Sequence, residues 1–458
     1  MSTHTKILTV IVVLLAILLG VLSASWYFYR NSHVKVDGVI YEKSLRQLDL
    51  RGQSVTVEQY LRLKESLPRC EITWDVPFQN TVYPDDTTEI TVTTLSQQDV
   101  ERMQYLPNLQ KVDATACFDY AAVQSLMDAH PDWQVDYSVR IDGQVLPKDA
   151  SSISFPEGRG NYDDLMNNLA YLPEVRNIHF DEPELKPAEL TAIREKYPNI
   201  QITWMKTVFG EKRPDDTREL DISGNKFTSI QEVEDQAGYL PGLQKLVMCD
   251  TGLKNDDIAG FRERVRGKCK VIWNVQVGRF NVRTDETWFM PTKFHMDIKD
   301  VHAQNLKYCE DMICVDLGHN MMKNIEWVKG MPHLQYLIIA DCPLQDVTPI
   351  GTLKELKFLE LFMTDIRDIS PIVGCTALED LNVARIPADL TPLAEMKWLK
   401  NLWASGGRVS KKDAEFLRQQ LPNTRIDTSY AHDCTGRGWR ESQNYKDMRK
   451  ILDMPLFQ

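Results

Sequence analysis

The sequence predicts an α/β repeat fold in which short parallel strands line a concave face, helices or 3₁₀ turns line the convex face, and one apolar helix comes first. Three observations predict it. A 23-residue uncharged run extends from Ile7 to Tyr29. Aliphatic residues recur in three registers every 21 or 22 residues between Leu306 and Leu402. Upstream, longer units of 63 to 69 residues share a second set of landmarks.

Residues 1–6 read as a short cytoplasmic N-terminus and residues 7–29 as a transmembrane signal anchor. At about 1.5 Å per residue the run covers a hydrocarbon core of roughly 30 Å. Trp26, Tyr27 and Tyr29, followed by Arg30, fall where an aromatic interfacial belt sits. A cleavable signal sequence is the other reading, since Ser23 and Ser25 place small residues ahead of Trp26. The run is longer than a usual signal core of about 7 to 15 residues, which favours the anchor. Lys6 precedes the run while Arg30 and Lys35 follow it, so charge does not set the orientation. A long domain translocates largely regardless of charge, so the repeats are expected to be extracellular, at the cell membrane, or secreted if the helix is cleaved.

Residues 30–50 read as a linker and N-terminal cap: Val34 to Tyr41 starts the stack and Leu45, Leu48 and Leu50 give the first L-x-x-L-x-L. Residues 51–305 read as irregular superrepeats of three coils. In each, an amphipathic helix runs through Pro or Gly into a strand, with the inward pairs Ile72/Trp74, Val135/Tyr137, Ile202/Trp204 and Val271/Trp273. Eighteen residues after the first member of each pair comes another strand, at Ile90, Ile153, Leu220 and Phe289. A third follows Y-L-P-x-(L/V), at Val112, Ile178 and Leu246.

Residues 306–405 repeat almost without slippage. Leu334, Leu356, Leu378 and Leu399 are spaced by 22, 22 and 21 residues; Leu337, Leu359, Leu381 and Leu402 follow in phase, then Ile339, Leu361, Val383 and Ala404. The companion segments Asp346–Ile350, Asp368–Ile372 and Asp389–Leu393 each join a turn residue to a buried aliphatic and a proline, which suits an extended or 3₁₀ return with no room for a full helix. Residues 406–458 read as a C-terminal cap and tail. A single coil cannot bury its apolar edge; stacked coils make a continuous core, so the expected architecture from about residue 34 to 430 is a solenoid.

The pattern resembles leucine-rich repeats of the 22-residue internalin-like type. The stretches Y-L-P-N-L-Q-K-V-D-A-T (105–115), D-L-G-H-N (316–320), Y-L-I-I-A-D-C-P (336–343) and L-E-D-L-N-V (378–383), with Gly438-Trp-Arg440 and Tyr445 to Arg449 near the end, are similar to membrane-anchored surface proteins of Gram-positive anaerobic bacteria. That resemblance implies a surface binding or adhesion role and no catalytic residues. An anaerobic home would also suit unpaired cysteines.

Composition agrees with a folded chain, 43% hydrophobic and 26% charged. The net charge of −12 argues against a general nucleic-acid surface, which needs clustered Lys and Arg. Nine cysteines form no C-x-x-C pair and no even framework, so buried, unpaired thiols are expected. There is no H-E-x-x-H, G-x-S-x-G, Walker A or G-x-G-x-x-G motif. Hence no catalytic residue, cofactor or metal is expected, and the chain reads as no enzyme. Asp85-Asp86 and Asp215-Asp216 follow prolines at equivalent repeat positions, where a turn role outweighs calcium binding.

Function is expected on the concave face, where the residue between two inward aliphatics points outward. In the first half that column is short and polar: Thr73, Thr91, Asp113, Asp136, Ser154, His179, Thr203 and Asp221. In the second half Val247, Ile272, Asp316, Ile338, Glu360, Asn382 and Trp403 are flanked by Tyr336, Phe358, Phe362, Met363 and Arg385. Aromatic and Met clusters beside charges mark contact surfaces. The candidate binding residues are therefore Tyr336, Ile338, Phe358, Glu360, Phe362, Met363, Asn382, Arg385 and Trp403, with a protein or cell-wall glycan as ligand. The competing expectation is that the tail or a neighbouring coil covers these side chains; Trp439, Met448, Ile451 and Leu452 have the spacing of a short amphipathic helix. A wall-directed enzyme of unrecognised type and a structural scaffold without a defined ligand are the alternative functions.

Overall fold

The computed structural model describes residues 3–291, 298–406, 409–429 and 438–456. Two compact units make up the chain, Met1–Trp204 and Met205–Gln458. The division falls within the strand Gln201–Val208, in the longer repeats and not where the repeat length changes.

The first unit opens with a helix, Thr3–Ser32, long and apolar enough over Ile7–Ser32 to cross a membrane. Over that span none of its residues is buried. A hairpin of His33–Val36 and Val39–Glu42 follows, turned by Asp37 and Gly38. Both have positive φ (46° and 91°), as the tightest hairpin turn requires.

Parallel strands then repeat in the expected register. Gln47–Asp49 pairs with Glu71–Thr73 through Leu48 and Ile72. Glu89–Thr91, Lys111–Ala114 and Gln134–Ile141 align Ile90, Val112 and Val135. Ser152–Phe155 and Asn177–Asp181 align Ile153 with Ile178. Helices supply the return path between strands: Val57–Ser66, Gln97–Met103, Tyr120–Ala129, Tyr162–Asn168 and Pro187–Lys196. The first two begin with capping boxes, at Thr56 with Gln59 and at Ser96 with Asp99.

Antiparallel hairpins interrupt these sheets and explain the irregular spacing. Asp75–Phe78 pairs with Thr81–Pro84, and the end of Gln134–Ile141 with Gln144–Pro147. Asp142 and Gly143, with φ of 48° and 76°, turn the second. Asp85 serves the turn after the first hairpin: its Oδ2 accepts the Trp74 N–H at 3.3 Å, while the Thr87 N–H donates to the Pro84 carbonyl at 3.0 Å.

The second unit begins in the same style. Phe209 and Gly210 turn a hairpin closed by Glu211–Pro214, and Glu219–Asp221, Lys245–Val247 and Lys270–Ile272 align Leu220, Leu246 and Val271. A further hairpin, Asn274–Val277 with Phe280–Arg283, precedes the regular coils.

Those coils share one seven-stranded parallel sheet, with strands in chain order. Its central register runs Phe289, Val315, Leu337, Leu359, Leu381, Leu402 and Ile426. The return segments are 3₁₀ turns, including Thr348–Thr352, Ser370–Gly374 and Thr391–Glu395, each with a proline at its start. Asp346, Asp368 and Asp389 hold these starts by accepting the N–H two residues on, at 2.8, 2.9 and 3.0 Å. Adjacent turns pack so closely that a Cβ on Gly351 would lie 2.4 Å from the Pro371 carbonyl oxygen, so only glycine fits. The helix Lys411–Gln420 and the strand Arg425–Asp427 end the sheet.

Inward polar groups follow the strands. The Asn320 side chain accepts the Ile298 N–H at 3.0 Å and donates to Leu317 and Gly318 carbonyls, so it ties one coil to the next. Cys117, Thr251, Cys342 and Thr364 are buried at the same offset. Asn225, at that offset too, is exposed: it follows the edge strand of its sheet, with no earlier strand of that sheet to receive it. Eight cysteines are free thiols, seven of them buried and Cys269 half-buried. Cys434 lies outside the described residues.

Candidate functional site in the regular repeats

The outward columns of the seven-stranded sheet hold the candidate residues. Tyr336, Phe358 and Asp380 precede the central leucines; Ile338, Glu360, Asn382 and Trp403 follow them; Phe362 and Ala384 come two residues further. Strand alternation sends all of these away from the coil interior, where the continuous leucine core lies.

They are nevertheless buried. Tyr336, Ile338, Phe358, Phe362 and Trp403 form one apolar cluster with Trp439, Tyr445, Met448 and Leu452 of the tail. The tail helix, Gln443–Ile451, starts at Ser442, whose hydroxyl accepts the Tyr445 N–H at 3.2 Å. It lies on the strand face. Phe358 is the centre of the contact, with ring centroids 6.0 Å from Tyr445 and 6.5 Å from Trp439. Tyr445 and Trp439 pack edge to face at 4.7 Å. The Asn444 side chain donates to Glu379 and Asp380 at 3.1 and 3.2 Å.

Met363 and Arg385 stay outside this cluster. Each takes a left-handed backbone at the end of its strand, with φ of 57° and 59°, and Asp250, His319 and Asp341 do the same in other coils. That conformation carries the side chains to the rim, where Met363 is 42% exposed and the Arg385 guanidinium lies over the Phe362 ring, 5.5 Å from its centroid. The neighbouring His319 Nδ1 and Asp341 Oδ2 are 2.9 Å apart.

Three polar side chains of this face are poorly matched. Glu360 Oε2, Asn382 Nδ2 and Ser405 Oγ are buried with no hydrogen-bond partner among the described residues. Asn382 Oδ1 does accept the Ala384 N–H at 3.1 Å. Burial pushes the Glu360 carboxyl up to about 8; the Asp316 carboxylate adds to the rise and the Arg440 guanidinium of the tail opposes it. Burial therefore favours the protonated carboxyl.

The sequence placed all nine candidates on one face, and the structure brings seven of them together beneath the tail. Tyr445 and Asn444 were missed as tail contacts. The signal for Tyr445 was its i, i+3 spacing to Met448. The first unit presents a different surface in its equivalent columns: Thr91, Ser154 and His179 are exposed, with His179 Nδ1 3.0 Å from Thr203 Oγ1. Among the described residues no cluster of His, Cys, Asp and Glu could hold a metal.

No family model matches this chain, and no curated protein matches its sequence. Solved structures do resemble it. An internalin of Listeria monocytogenes is 16% identical, with 76% of this chain and 84% of that one covered and a TM-score of 0.28. Internalin C2 of the same organism is 22% identical, covering 31% and 72%, with a TM-score of 0.23. A leucine-rich-repeat protein of Leptospira interrogans is 15% identical over 73% and 93%, with a TM-score of 0.29. The leucine-rich-repeat fold of this chain rests on its own coils, in which the repeating leucines, parallel strands and short return segments coincide.

Proposed function

We propose that the chain is a non-catalytic cell-surface binding protein: residues 7–29 tether it to the membrane, and a leucine-rich-repeat solenoid presents its concave face to a protein partner. One observation carries this reading. The outward columns of the regular coils gather Tyr336 and Phe358 before the central leucines, Trp403 after one and Phe362 two residues further, where the first unit has polar residues; aromatic side chains of this kind contribute strongly to binding at protein interfaces. The rim formed by Met363 and Arg385 supplies the exposed edge of the site.

The test is affinity capture from envelope proteins and from wall glycan with the full chain in detergent. The paired change Met363→Asp with Arg385→Glu leaves the core intact and is expected to abolish retention of a specific protein. Retention of glycan instead, or equal capture by the variant, would contradict the assignment. Turnover of a wall substrate that one substitution abolishes would replace the binding reading by an enzymatic one.

A further inference from the structure

We propose that the strand face of the regular coils is a docking groove for an amphipathic helix, with the chain's own C-terminal helix as its resident, displaceable occupant and a partner helix of matching anchors as the ligand that replaces it. This rests on the binding role above and gives it a partner class. Helix-in-groove recognition reads anchors at i, i+3, i+4 and i+7, and Tyr445, Met448 and Leu452 have the spacing i, i+3 and i+7.

Two observations separate the tail from the fold beneath it. The repeats have a core of their own, from Val208 to Leu421, which contains no tail residue, while the tail joins a second cluster on the opposite side of the strands. The sheet is also ended by other elements, the helix Lys411–Gln420 and the strand Arg425–Asp427, so the tail is not its terminal cap. The tail secures its own shape, since Arg449 donates to the Pro455 carbonyl at 3.2 and 2.5 Å.

A third observation specifies the ligand. The resident helix matches the apolar side chains but leaves Glu360 Oε2, Asn382 Nδ2 and Ser405 Oγ buried and, among the described residues, unpartnered. Each such group costs free energy that a better ligand recovers. The fitting partner therefore carries two aromatic anchors, a Met or Leu one helical turn on, and polar groups that reach the Glu360 carboxyl and accept from the Asn382 amide N–H.

The experiment uses the full chain in detergent with a protease site inserted between Ser429 and Gly438. The probe is a fluorescent peptide of residues 438–456, followed by anisotropy. Before cleavage the tethered tail competes at an effective concentration on the order of millimolar, so peptide binding is expected to be at least about tenfold weaker than after cleavage. After cleavage, saturable binding is expected, and the peptide with Tyr445→Ala and Met448→Ala is expected to bind at least about tenfold more weakly. A cut chain that keeps its tail through prolonged dilution, or releases it and ignores the peptide, would overturn the proposal. So would equal binding to cut and uncut chains, or a dimer in which the tail fills a second copy's groove. No natural partner is needed, so peptide exchange can succeed even where capture from the envelope fails.

Discussion

The same strand-and-return coil carries two kinds of surface in this molecule. In the first unit the outward residues are short and polar, helices form the return path, and hairpins break the sheets. In the second unit the regular coils return through 3₁₀ turns, seven strands join one sheet, and the outward columns become aromatic and are buried by a helix from the same chain. Inward leucines set the coil, and the outward residues are free to vary. The proposed binding role uses that freedom, because in the outward columns a change of side chain alters the surface without altering the stack.

The position before the central aliphatic offers the sharpest way to break the comparison. Phe358→Ala removes the ring that touches both Trp439 and Tyr445 and should cost about 3–5 kcal/mol in urea unfolding. Asn177→Ala, at the equivalent position of the first unit, changes an exposed residue and should stay within about 0.5 kcal/mol. Equal costs would mean that the two faces do not differ in burial.

A smaller effect should come from pH. The folded Glu360 carboxyl is raised from the ordinary 4.5 to about 8, so the folded state holds a proton that the unfolded state has released. Stability from this group is complete below about pH 4.5 and declines as pH rises through 8. Glu360→Gln should flatten that part of the profile. An unchanged slope in the variant would place the titration elsewhere.

Much of this was legible in the sequence. Leu337, Leu359, Leu381 and Leu402 announced their strands because a stacked coil has to repeat its inward residues at fixed spacing, and even the two-residue strand at Phe289 followed from the 18-residue offset. The hairpins were not foreseen. Asp142-Gly143 carries a turn signal, but the short strands around it pair antiparallel inside a pattern dominated by parallel coils. The tail was legible as a helix through Met448, Ile451 and Leu452, although Trp439, read with them, lies in a separate 3₁₀ turn, Trp439–Glu441; its seat was not legible, since docking on Phe358 joins residues more than 80 positions apart and no local pattern encodes that choice. The same contact explains why Phe362 and Trp403, chosen as open binding residues, are buried, so truncating them would disturb the tail as well as a ligand.

Hydroxyl-radical footprinting of the full chain in detergent tests the central claim most directly, because Met363 provides an exposed reference on the same strand face as Trp403. Met363 is expected to oxidise rapidly, with Trp403, Tyr445 and Met448 protected at least about tenfold relative to the same chain unfolded in urea. Oxidation of Trp403 and Tyr445 at their unfolded rates in the native chain would contradict it, since the aromatic face would then stand open and the tail would lie elsewhere.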